Sequence, residues 1–284
     1  MKRAAILVAL AACDDRLDQR LSIIDAPRVL AVIAEPAEAK PKAAVTYSAL
    51  VGSPDGTLAA IPQWSYCTAP KPPTEDNAVS DGCVRGGELL DLGAAATVTA
   101  PIPDAACLNF GPETPPGEFR PRDADGTGGY YQPVRADVEG LVAFGLARIT
   151  CKLANAPGDV ARDYDLRYVA NANPLLDPIA LPASVPADSD VELVATWPAA
   201  SAESYLFFDR LGQRLVERRE ALRLSWFATA GALAVDASAV AEDDPATTTS
   251  TVWHTPGPGT ATVWFTLRDS RGGIATREFQ VVVE

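Results

Sequence analysis

The sequence predicts an all-β protein built as two tandem β-sandwich domains, and three observations predict it. Short runs rich in Val, Ile, Thr, Phe and Trp recur along the chain, whereas long helical periodicity is scarce. These runs are punctuated by 24 Pro and 20 Gly, which suit turns between strands and do not suit a helical bundle. The order of the runs is repeated in the two halves, and 284 residues fit two domains better than one.

The chain opens with Met1-Lys2-Arg3, an apolar run from Ala4 to Ala12, and Cys13. A basic start, a short apolar core and small residues at the cut describe a secretory signal peptide over residues 1–12. Asp14-Asp15-Arg16 ends the run after nine residues, well short of the ~20 needed to span a bilayer. Leu10-Ala11-Ala12-Cys13 resembles a bacterial lipobox. That resemblance implies cleavage before Cys13 and lipidation of its thiol, with two or more acyl chains giving stable anchoring. In enterobacteria Asp at position 14 resembles an inner-membrane retention signal; the rule varies among bacteria, which leaves the inner and outer membrane both open. Residues 13–25 are expected to form the lipidated Cys and a polar tether.

The first domain is expected over 26–174 and the second over 175–284. In the first, Arg28–Val32 leads to Pro36, then Ala43–Leu50, the turn Ser53-Pro54-Asp55-Gly56 and the strand Gln63-Trp64-Ser65-Tyr66-Cys67. In the second, Pro178–Leu181 leads to Pro186, then Val191–Ala195 and Leu222–Phe227. Gly140–Ile149 near the end of the first domain is matched with Gly259–Arg268 in the second. Alternation puts Val263, Phe265 and Leu267 on one face, and a Gly-bearing turn joins this strand to Thr276–Val283 as a hairpin. This hairpin resembles the closing strands of immunoglobulin-like sandwiches of the PKD and cadherin-like type, which implies the same fold for both domains.

Between Cys67 and about Gly129 the first domain is expected to hold a long insertion, with some helical character over Gly86–Ala100. Of five Cys, the four beyond Cys13 are an even set (Cys67, Cys83, Cys107, Cys151), read as disulfides in an oxidising compartment. Three connectivities are open; the favoured one is Cys67–Cys83 with Cys107–Cys151. No two Cys have zinc-knuckle spacing. Asp123 and Asp125, two apart and followed by Gly126, are the candidate calcium ligands, although a full EF-hand pattern is missing. The five Trp read as core residues, with Trp253 and Trp264 the pair that an exposed sugar-stacking platform would use. His254 is the only His and reads as a surface or edge residue, and no Gly-x-Ser-x-Gly elbow accompanies it.

Net charge is −13, and loss of Lys2 and Arg3 with a signal makes it more negative. That sign disfavours nucleic acid and a polybasic grip on anionic lipid. The lipobox, Arg28–Val32 with Ala34-Glu35-Pro36, Thr127–Val134, Asn171-Ala172-Asn173-Pro174 and Arg268–Gly273 together resemble a group of lipoproteins from myxobacteria and related bacteria. That group brings no activity and no functional residues with it. The expected function is therefore a lipid-anchored envelope protein, not an enzyme. It would meet a membrane through its lipid and an envelope protein or polysaccharide through its loops. The alternatives are an extracytoplasmic hydrolase with a carboxylate site and a calcium-dependent binding module.

Overall fold

The structure is a computed structural model and describes residues 21–70, 79–112, 126–178 and 181–284. In the first unit the strands are β1 (Arg28–Glu35), β2 (Glu38–Ala39), β3 (Ala44–Ser53), β4 (Gly56–Thr57), β5 (Gln63–Cys67), β6 (Leu89–Ala94), β7 (Thr97–Pro101), β8 (Gly129–Val138) and β9 (Leu141–Thr150). Helices α1 (Asp81–Val84) and α2 (Ala106–Phe110) lie between strands, and α3 (Gly158–Arg167) follows them. One sheet carries β1, β3, β4 and β7, and the facing sheet has the order β2-β9-β8-β5-β6.

The second unit contains β10 (Ser184–Val185), β11 (Asp190–Thr196), β12 (Ser204–Asp209), β13 (Arg214–Arg219), β14 (Leu222–Ala228), β15 (Ala232–Leu233), β16 (Ala237–Val240), β17 (Thr248–His254), β18 (Gly259–Asp269) and β19 (Ile274–Val283). Its sheets are β10-β19-β18-β14-β16 and β11-β17-β15, with β12–β13 a separate hairpin. The two five-stranded sheets repeat one plan: a short first strand pairs parallel with the last, β2 with β9 and β10 with β19. Both units are immunoglobulin-type sandwiches, and the protein is all-β in class.

The structure differs from four sequence expectations. The true counterpart of β18 is β8, so the strand over Gly140–Ile149 matches β19 and not Gly259–Arg268. The strand β8 is hard to read because Pro133 interrupts it and Arg135 and Asp137 lie on its other face. Gln132 covers the missing donor: its side-chain amide gives a 2.8 Å hydrogen bond to the Cys67 carbonyl beside Pro133. Residues 67–129 are also not one insertion. Gly86–Ala100 is extended rather than helical, because β6 pairs with β5 and β7 with β3, making both part of the sandwich. Finally, the tether does not run free to residue 25: Ile24 N donates to Ala228 O and Ala228 N to Ser22 O, both at 2.9 Å, which docks the segment on the second unit.

Each unit has its own core, Tyr47, Trp64, Tyr66 and Val134 in the first and Trp197, Trp226, Trp253 and Phe265 in the second. All five Trp are buried, so Trp253 and Trp264 form no exposed stacking platform. Trp264 belongs to neither core. The face of β18 that carries Val263, Phe265 and Leu267 fills the second sandwich, whereas Trp264 on the opposite face packs with Ile24 and Leu30. Its indole donates to Thr57 Oγ1 at 2.8 Å, and Arg268 reaches the Leu30 carbonyl at 2.8 Å. The first unit therefore lies against the outer face of the second unit's sheet.

Trp264→Ala should remove this contact at a cost of about 3 kcal/mol or more. Urea unfolding is the measurement, and a loss below about 1 kcal/mol would mean that the indole does little to join the units.

Candidate functional site

The disulfides are Cys67–Cys83 and Cys107–Cys151, closing loops with sequence separations of 16 and 44. Restricting the unfolded chain over such loops contributes about 3 and about 4 kcal/mol in the loop-entropy account. The first ties the end of β5 to α1, whose N-cap Ser80 accepts from Cys83 N at 3.4 Å. The second ties α2 to the chain just after β9.

Beside that second disulfide opens a cleft of about 400 Å³. It is lined by Lys40 and Pro41 after β2, by Cys107 of α2, by Thr150, Cys151 and Lys152, and by Tyr164, Asp165 and Tyr168 on and just beyond α3. The two Tyr are four residues apart, Tyr164 within α3 and Tyr168 at its C-cap, with ring centroids 4.8 Å apart. Tyr164 donates to Thr127 O at 2.6 Å and Tyr168 to the Glu38 carboxylate. Burial, and then the neighbouring Tyr168 for Tyr164 and Glu38 for Tyr168, push both phenols above their ordinary range, so both remain donors.

Glu38 leads from the cleft into a buried polar joint between the units. Its carboxylate pairs with Arg148 Nε at 3.0 Å and accepts from Thr150 Oγ1 at 2.8 Å and from Asn171 N at 2.8 Å. Arg148 also donates to Thr127 Oγ1 at 2.7 Å. A Cβ on Gly129 would stand 2.1 Å from Arg148 Cζ, so the guanidinium needs glycine there. On the other side Arg271 pairs with Glu220 at 2.7 Å and Glu203 at 2.9 Å. Asn171 joins the two centres, donating through its side-chain amide to Asp269 at 3.2 Å. Asp269 in turn accepts from Arg271 N at 2.8 Å and Gly273 N at 2.9 Å. Tyr131 reaches the Arg271 carbonyl at 3.3 Å, and Asn173 donates to Ala34 O at 2.8 Å while accepting from Ile274 N at 2.8 Å. Thr127–Val134, Asn171–Pro174 and Arg268–Gly273, three segments prominent in the sequence, thus converge in one joint.

The other predicted sites fare differently. Cys13, Asp123 and Asp125 lie outside the described residues. Among the described residues no group of three His, Cys, Asp or Glu is placed to hold a metal ion. His254 and Asp190 are exposed partners across β17 and β11, with Nδ1 2.9 Å from the carboxylate. Ser189, next to that pair, donates its hydroxyl to Pro186 O instead. The carboxylates of Glu203, Glu220 and Asp269 converge around Arg271 in the joint rather than in the cleft. Sequence reasoning missed both the cleft and the joint. The spacing of Tyr164 and Tyr168 was an available signal, but their helix lacks an apolar stripe to announce it.

No family model matches the chain, and no curated protein matches it. The resemblance to myxobacterial lipoproteins finds no support in these comparisons. Among solved structures, the D00-D0 domain of intimin is 11% identical, with 91% of this chain and 98% of that chain covered and a TM-score of 0.27. Fibronectin(III)-like modules of Clostridium thermocellum CbhA are 10% identical, with 90% and 92% covered and a TM-score of 0.24. The native conformation of Escherichia coli alpha-2-macroglobulin is 12% identical, with 90% of this chain and 17% of that chain covered and a TM-score of 0.27. Likenesses at such scores carry no argument about function, and the fold rests on the strand pairing itself.

Two outcomes follow from the joint. Arg148→Met strands a buried carboxylate and should cost about 3–5 kcal/mol, with Glu38→Gln in the same chain recovering much of it. Urea unfolding of the singles and the double measures this coupling, and additive losses would mean that the pair does not act as a unit. Burial, and then Asp269, push the Glu220 carboxyl up to about 7 against the pull of Arg271. The folded state then holds a proton that the unfolded chain, with its carboxyl near 4.5, has released. Stability should therefore fall as pH rises from about 4.5 to 7 and level off above it. Glu220→Gln should flatten that slope in thermal melts; an unchanged slope would place its source elsewhere.

Proposed function

We propose that the protein is a cell-envelope protein, attached to the inner or outer membrane through lipid on Cys13, with a non-catalytic binding or adhesive role. The observation that carries this reading is the pairing of Cys67 with Cys83 and Cys107 with Cys151, which is the chemistry of an oxidising compartment outside the cytoplasm. An extended chain from Cys13 to Ser22 reaches at most about 30 Å, so the body would stand close to the membrane that holds it. Ser22 and Ile24 are hydrogen-bonded to Ala228 beside the Trp264 contact, which would place the anchored end at the end of β14 opposite the joint, since the joint residues Glu220 and Asp269 lie at its Leu222 end. A sandwich pair held this way presents loops and clefts to an envelope protein or polysaccharide.

Fractionation of cells expressing the full chain, with metabolic labelling by a fatty acid, tests the reading. The wild-type protein should be labelled and sediment with membranes, and Cys13→Ser should be unlabelled and soluble. A Cys13→Ser protein that stays with the membranes, or an unlabelled wild-type protein, would overturn the assignment.

A further inference from the structure

We propose that the cleft beside Cys107–Cys151 binds an acidic sugar, the uronate unit of a polysaccharide. The ligand class builds on the envelope reading above, while the site itself stands on the geometry of the cleft. The chain contains only five Lys, and the described ones are Lys40, Lys42 and Lys152. Lys42 is paired with Asp104 at 3.0 Å. Lys40 and Lys152 are exposed, line the same cleft, and have no ion-pair partner among the described residues. In a protein of net charge −13, two ammoniums without an ion-pair partner share one concavity with a single carboxylate, Asp165, and the excess of positive charge there favours an anion.

The remaining lining selects among anions. Asp165 shares the cleft, where its carboxylate accepts hydrogen bonds from sugar hydroxyls and repels a compact, fully charged ion such as inorganic phosphate. The hydroxyls of Tyr164 and Tyr168 are already committed to Thr127 O and Glu38. That leaves the half-buried Tyr168 ring as apolar surface for the face of a pyranose. A volume of about 400 Å³ lies at the small end of ligand pockets and suits a sugar unit. The Cys107–Cys151 bridge and the Tyr168–Glu38 contact hold two parts of the lining in place, which lowers the ordering cost of binding.

Calorimetric titration of the full chain in detergent tests this with a galacturonate trisaccharide, the neutral galactose trisaccharide and inorganic phosphate. Only the uronate should bind. A chain carrying both Lys40→Gln and Lys152→Gln should bind it roughly tenfold or more weakly, with an unchanged melting temperature. Absence of uronate binding, equal binding of the neutral sugar or of phosphate, or indifference to the Lys pair would each overturn the site. A protein that sediments with membranes yet ignores the uronate loses this site and keeps the envelope reading. One that binds the uronate but remains soluble and unlabelled does the reverse.

Discussion

The burial of two Arg–carboxylate centres on either side of the segment Val169–Asn173 is the constraint on which the rest of the structure depends. Arg148 with Glu38 belongs to the first unit and Arg271 with Glu220 to the second, and the side chains of all four are almost wholly withdrawn from solvent. Taking such charges out of water costs several kcal/mol per ion, and only well-placed partners offset it. The partners come from the connection between the units: Asn171 N on Glu38, the Asn171 amide on Asp269, and the Val169 carbonyl facing Arg271 at 3.4 Å. A different relative placement of the two sandwiches would strand at least one of these groups. The joint therefore gives the connection a single register, which apolar burial alone, being non-directional, does not provide.

Apolar packing completes the arrangement from the other side of the interface. A strand of an exposed sandwich sheet alternates buried and exposed positions, and β11 and β17 do so. The strand β18 does not: Ala261 through Leu267 are all buried. Its second face is covered by the first unit, with Trp264 against Ile24 and Leu30. Two sandwiches that share a buried face in this way form a side-by-side pair rather than beads on a string. The docking of Ser22–Ile24 on β14 brings the N-terminal approach to the same interface.

The joint and the cleft are physically continuous through Glu38. One carboxylate accepts from Arg148 and Asn171 in the joint and from Thr150 and Tyr168, both of which line the cleft. Thr150 and Tyr168 in the wall of the cleft are thus held by the same carboxylate that pairs with Arg148 in the joint. Such support keeps the wall of the cleft pre-formed, and the disulfide at Cys107–Cys151 does the same on the covalent side.

By itself the sequence determined the elements whose signals are local. Alternation marked β18 and β19, the Pro-Asp-Gly turn marked the end of β3, and β5 was legible residue for residue because Trp64 and Tyr66 alternate with polar neighbours. The all-β class followed from the short apolar runs between Pro and Gly, and the disulfide reading from the four cysteines beyond Cys13. Only the tertiary structure decided what depends on partners distant in the chain. The strand β8 carries a Pro that is tolerated because Gln132 serves the Cys67 carbonyl, and β6 is a strand because β5 lies beside it. The joint draws its charges from positions 38, 148, 203, 220 and 271, which no local pattern links. Periodicity reports which face of one element is apolar; the pairing of charges and the closing of a cleft depend on distances set only when the units have packed.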